Sequence, residues 1–193
     1  NFITEIPSKM DMAIAFHSTS LFDKDLFAMD VLAMILVRGD NSRLNKTLLK
    51  SLRLVHSIDC WNYTPRDPGL FVITAVLDKE KLDEAERAVV NEIERLKEGK
   101  IDDDELETAK RIVVADYIFS RQNIEDEAAS LSTDYILTGS YDFSERYVDG
   151  VQKVNKEDIK KAASAYLREE NSSVVRLLPK GYMASAPAAE RLE

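Results

Sequence analysis

The sequence predicts an α+β fold, a two-layer sandwich with a largely antiparallel sheet and helices packed on one face. Three observations carry this expectation. Four runs, Met12–Ser18, Leu54–Tyr63, Leu70–Leu77 and Ser172–Leu178, have the β-branched and aromatic content or the alternation of strands. The segments between them place apolar residues at helical spacing. The order is β-α-α-β-β, then several helices, then β, which fits a sheet covered by helices on one side.

Met12–Ser18 is the first strand, Met-Ala-Ile-Ala-Phe-His-Ser. A helix follows from about Asp25 to Arg38, with Leu26, Met29, Leu32, Ala33 and Leu36 on one stripe. Gly39 ends it, because glycine accepts the left-handed conformation of a helix terminus. Asp40, Asn41 or Ser42 then caps a second helix running to about Leu52. Leu54–Tyr63 and Leu70–Leu77 flank Pro65-Arg66-Asp67-Pro68-Gly69, a concentration of turn formers that predicts a hairpin. In the second run Phe71, Ile73, Ala75 and Leu77 face the core. Val72, Thr74 and Val76 face the other way, leaving a semi-polar surface suited to a peptide or a partner domain.

The remainder reads as mostly helical. Asp78 is expected to cap a helix with the stripe Leu82, Ala85, Val89, Ile93 and Leu96, closed by Gly99. Asp102 and Glu105 resemble a capping box for the next helix, with Leu106, Ala109, Val113 and Tyr117 inward. Helices continue through Glu125–Thr138 and Asp142–Gln152, divided by Gly139. Asn155 caps a last one carrying Ile159, Ala163, Tyr166 and Leu167. Ser172–Leu178 closes the sheet and is stopped by Pro179 and Gly181. Residues 1–180 read as a single domain. Residues 181–193 read as a flexible tail, with Leu192-Glu193 matching a cloning scar.

A chain of 193 residues can bury one substantial core. No segment approaches the roughly 18 apolar residues of a membrane span, so the chain reads as soluble. No signal-peptide leader is present, but Asn1 is not an initiator methionine and the chain reads as excised from a longer one, so a bacterial cytoplasm and a periplasm both stay open. The net charge is −9, and 13 acids against 6 bases between Asp78 and Glu107 account for most of it. These are solvated helix faces, and they would repel a nucleic-acid backbone. One cysteine, Cys60, can form neither an internal disulfide nor a cysteine-based metal site, and its strand position suits a buried thiol.

Several motifs occur in a telling order: Gly39…Ser42-Arg43-Leu44, Pro68-Gly69-Leu70-Phe71, Ile101-Asp102-Asp103-Asp104-Glu105-Leu106-Glu107-Thr108-Ala109-Lys110, and Val154-Asn155-Lys156-Glu157-Asp158-Ile159…Ala162…Tyr166-Leu167. With the acidic helix start (Asp25, Asp30), they resemble a half-unit of the pitrilysin and mitochondrial-processing-peptidase superfamily of zinc metallopeptidases, over about Met12 to Pro179. The resemblance implies two homologous α/β halves that close around an unfolded peptide. One half carries H-x-x-E-H on a helix, so that both histidines reach one zinc. Here the corresponding helix offers Met29-Asp30-Val31-Leu32-Ala33, and the chain's two histidines, His17 and His56, are far apart. The resemblance therefore implies the second, non-catalytic half, inactive alone, with no catalytic, metal or cofactor residues in this segment. Zinc is expected in the partner half, whether fused or separate, and a dimer is one arrangement open to it.

In many relatives the second half supplies an arginine and a tyrosine that grip substrate near the zinc. Aligned on Ser42-Arg43-Leu44, those positions are Leu49 and His56. Leu49 cannot donate to a peptide carbonyl, whereas His56 has a polar edge and is the single candidate substrate contact. Arg53 stands where the family usually has glycine. Arg43 is expected in a structural ion pair. Asp102–Glu105 lacks the turn glycine and final glutamate of a calcium loop, and His17-Ser18-Thr19-Ser20 lacks the glycine elbow and acid of a hydrolase. Trp61 and Tyr63 can meet a peptide, meet the other half, or pack at the rim. The function implied is a chamber wall that positions an extended peptide for cleavage by the other half. The alternatives are an inactive core-subunit-type relative acting in assembly and a plain peptide-binding module.

Overall fold

The computed structural model describes residues 2–6 and 10–179. It contains five strands, β1 (Phe2–Ile6), β2 (Met10–His17), β3 (Val55–Tyr63), β4 (Leu70–Leu77) and β5 (Ser172–Pro179), in the sheet order β1-β5-β2-β4-β3. Along β5, β2, β4 and β3 each strand is antiparallel to its neighbour, and β1 adds a parallel edge to β5. The fold is thus the expected α+β sandwich with one strand more than the sequence suggests. β1 escapes a local reading because its five residues pair with a strand some 170 positions away, from Phe2 opposite Val175 to Ile6 opposite Pro179.

Strand alternation decides which side is core. Met12, Ile14 and Phe16 of β2 and Phe71, Ile73, Ala75 and Leu77 of β4 are all buried on the helical side. Each large side chain hidden this way contributes about 1.5–3 kcal/mol. Against this face lies α1 (Leu26–Val37), in which nine of twelve residues are buried rather than the single stripe expected. The extra positions, Ala28, Val31, Ile35 and Val37, are apolar because α1 is enclosed by β3 and by α3 (Asp103–Phe119), α5 (Phe143–Lys153) and α6 (Lys156–Tyr166). A helix covered all round must be apolar all round. α2 (Leu82–Lys97) packs beside α6, with Ala85, Val89, Ile93 and Leu96 buried as the stripe predicts.

Two local features differ from the sequence expectation. The second helix is a π-helical segment, Asn45–Ser51, whose exit shows the wide i→i+5 bond from Leu52 N–H to Thr47 O. No side chain caps it, and the Ser42 hydroxyl instead donates to Gly39 O at 2.8 Å. The expected caps at Asp78 and Asp102 are likewise extended residues without a side-chain cap bond. Spacing points to these caps, but Asp78 and Glu105 are held by cationic partners instead. The Asn155 cap does form, as a full capping box with Asp158. α4 (Ile124–Thr138) is capped by Asn123 and ends at Gly139, whose φ of +75° suits glycine. The tail from residue 181 lies outside the described residues.

Candidate peptide-facing surface

The helix that would carry a zinc motif in a catalytic half is α1, and its residues at that point are structural. Met29, Val31, Leu32 and Ala33 are at most 1% exposed. Asp30, between them, is half-buried and accepts hydrogen bonds from the Tyr147 hydroxyl at 2.6 Å and the Asn62 amide at 2.8 Å. The Ser18 hydroxyl donates to Asn62 Oδ1 at 2.6 Å, so one polar clasp joins α1, α5, β3 and the end of β2. Burial pushes the Asp30 carboxyl up to about 6, against the opposing pull of its two donors. Spacing alone does not reveal this role; the signal for it is an aspartate inside the apolar run Leu26–Val37. The Ser18 hydroxyl is thus engaged within the clasp.

His56 lies at a bulge between Val55 and Ser57 at the start of β3. Its Nε2 is 2.8 Å from Asp78 Oδ1, and Lys81 Nζ is 3.1 Å from Asp78 Oδ2. The hydrogen bond from His56, then that from Lys81, holds the Asp78 carboxyl below its ordinary range. His56 is about half exposed, so a pairing that fixes the ring leaves part of it open to solvent. Leu49 packs against the core. Arg53 has φ +52°, a left-handed conformation that explains why glycine suits this position.

Arg43 is the expected structural ion pair. Its Nε and one terminal nitrogen grip Glu105 at 2.7 Å each, the same nitrogen bonds Lys100 O, and its side chain is only 10% exposed. Glu105 is therefore engaged by Arg43, at the start of the second helical segment, rather than by its own helix start. Cys60 is buried, and desolvation raises its thiol well above the usual range, so it is not a poised nucleophile.

The side of the sheet away from the helices is open. Pairing across the strands places Tyr63, Leu70 and His17 in one row, Trp61, Val72, Ala15 and Ser173 in the next, then Asp59, Thr74, Ala13 and Val175, then Ser57, Val76, Asp11 and Leu177. Trp61 is 42% and Tyr63 58% exposed. β3 ends the sheet, with β4 on one side only. Along this edge the Cys60 N–H is held by the Asp59 carboxylate at 2.8 Å. This architecture offers an extended chain both a flat face and a terminal strand.

The family model described as "Peptidase M16 inactive domain" matches residues 2–113, more than half of the chain. The chain belongs to this family. The M16 domain is 26% identical over 173 residues to a "Zinc protease PqqE" of Helicobacter pylori, covering 87% of this chain and 38% of that protein. It is 23% identical over 168 residues to "Cytochrome b-c1 complex subunit 2, mitochondrial" of Rattus norvegicus, covering 83% and 37%. The chain thus spans less than half the length of these curated relatives. Its fold matches the inactive peptidase domain of a putative zinc protease from Bordetella parapertussis, with a TM-score of 0.80 at 23% identity, covering 92% of this chain and 96% of that one. Family and fold agree with the half-unit expected from the sequence. No described helix is long and apolar enough to cross a membrane.

Proposed function

We propose that this M16 domain is the non-catalytic half of a zinc-dependent endopeptidase, in which its open sheet face forms one wall of a chamber and its terminal strand guides an extended peptide toward zinc held by the other half. The observation that supports this reading is the asymmetry of the sheet. One face is sealed by helices, while the other exposes Trp61, Tyr63 and Leu70 beside small residues. Monomeric domains seldom leave a sheet face this apolar without an occupant. A peptide adding to β3 would exchange backbone hydrogen bonds there and set its side chains on alternate faces. His56, at the start of β3, is proposed to touch such a peptide through whatever of its ring Asp78 leaves open. The test is cleavage of an unfolded peptide by the zinc-bearing half with and without this chain. A rate at least tenfold higher with the chain is expected, and equal rates would refute the proposal.

The likeness to the cytochrome b-c1 subunit favours a second reading, a core-type subunit that has left proteolysis and serves assembly. Leu49, which offers no polar grip, fits this reading too. Native purification separates the two. An associated H-x-x-E-H chain or segment supports the peptidase half, whereas a larger assembly containing none supports the core-type subunit.

A further inference from the structure

We propose that the open sheet face binds a peptide through one lysine or arginine side chain, seated between Asp11 and Asp59 on an aliphatic floor. This rests on the peptide-wall reading and adds the chemistry of the occupant. A groove of about 540 Å³ runs across the open side of β2, β3, β4 and β5. Its floor is small and aliphatic, with Ala13, Thr74, Val76 and Val175 along it. Two carboxylates line it, and among the described residues no lysine, arginine or histidine does.

The strand register sets the spacing. Asp11 lies opposite Val76 and Ser57, while Asp59 lies opposite Thr74 and Ala13. The two acids are therefore two strands and two residues apart, about 12 Å between backbones, from ~4.8 Å per strand and ~3.4 Å per residue. A cation resting over Thr74 and Val76 on β4 sits midway, about 6 Å from each backbone, which is within reach of both carboxylates.

Among the described residues Asp11 makes no hydrogen bond or ion pair, and Asp59 accepts only the N–H of Cys60. His56 and Lys81, beside that end of the sheet, are both held by Asp78. Among the described residues the negative potential of the groove is thus left without an internal counter-charge. Small floor residues matter as well, since the aliphatic stem of a lysine lies flat on them while its ammonium reaches the acids. Trp61 stands one row beyond Asp59 on the same face and is the sole tryptophan of the chain, so its fluorescence reports on an occupant.

The experiment titrates the 193-residue chain with a ten-residue peptide of alternating valine and lysine, and with its valine and glutamate counterpart, following Trp61 emission at low salt. The lysine peptide is expected to bind at least tenfold more tightly. The double variant Asp11→Asn with Asp59→Asn should erase that preference. The double variant Glu84→Gln with Asp104→Asn removes the same charge from the helical side and should preserve it. Equal loss in both double variants would assign the preference to net charge and overturn the proposal, as would equal binding of the two peptides by the wild type. Ala13→Trp fills the floor and should abolish binding of the lysine peptide, while unchanged binding would place the occupant elsewhere. Binding is read on this chain alone, whereas the chamber reading is tested by cleavage, so each can fail without the other.

Discussion

The two faces of the same sheet have opposite characters. On the helical face of β4, Phe71, Ile73, Ala75 and Leu77 are at most 2% exposed. On the other face Val72, Thr74 and Val76 are half-buried, and the neighbouring positions on β3 include exposed Trp61 and Tyr63. Both sets come from one alternating sequence, so a one-residue slip would exchange them. The sealed face fixes the register, and the register in turn fixes what the open face displays. Burial is concentrated on one side, leaving the other less constrained by packing.

The largest effect that would break this comparison is a core truncation. Phe71→Ala should cost about 3–5 kcal/mol in chemical denaturation, as expected for an emptied aromatic core site. Trp61→Ala, on the open face, should cost less than about 1 kcal/mol. Comparable losses at the two sites would show that the open face is core in solution.

Asp30 sharpens the comparison, because it is a polar group on the sealed side whose carboxyl is shifted. The fold favours its protonated form, with the carboxyl at about 6 instead of 3.8. The wild type should therefore be most stabilised by this group below about pH 4, and should lose up to about 3 kcal/mol as the pH rises through about 6. Asp30→Asn should flatten that slope. Denaturant midpoints of both proteins from pH 4 to 7.5 would reveal it, and parallel curves would mean that Asp30 titrates normally.

A smaller change concerns the segment that leads into β3. Arg53 holds φ +52°, which a residue with a Cβ adopts at a cost of about 1 kcal/mol. Arg53→Gly relieves that strain but loosens the unfolded chain, so a gain of a few tenths of a kcal/mol is expected in a thermal melt. A loss above about 1 kcal/mol would mean that the arginine side chain contributes contacts of its own.

Much of this fold was legible because each signal was local. The hairpin was announced by Pro65 to Gly69, and Asn155 capped its helix as the spacing required. What local pattern could not supply were partners far along the chain. β1 needed β5, Glu105 was drawn from its helix start by Arg43, and Asp78 was drawn away by His56 and Lys81. At the candidate surface, the alternation of β4 identified the open side correctly. The placement of Asp11 beside the β3 positions became visible only through the register, since the two strands are not adjacent in the sheet.

The central claim is that the open face takes part in peptide handling. Its most direct test is the rate at which the zinc-bearing half cleaves an unfolded peptide in the presence of this chain, wild type against Ala15→Trp. Ala15 lies mid-face between Val72 and Ser173, so the bulky ring obstructs the wall without entering the core. The account predicts that the variant, folded by circular dichroism, loses at least tenfold of the stimulation given by the wild type. Full stimulation by the variant would contradict it.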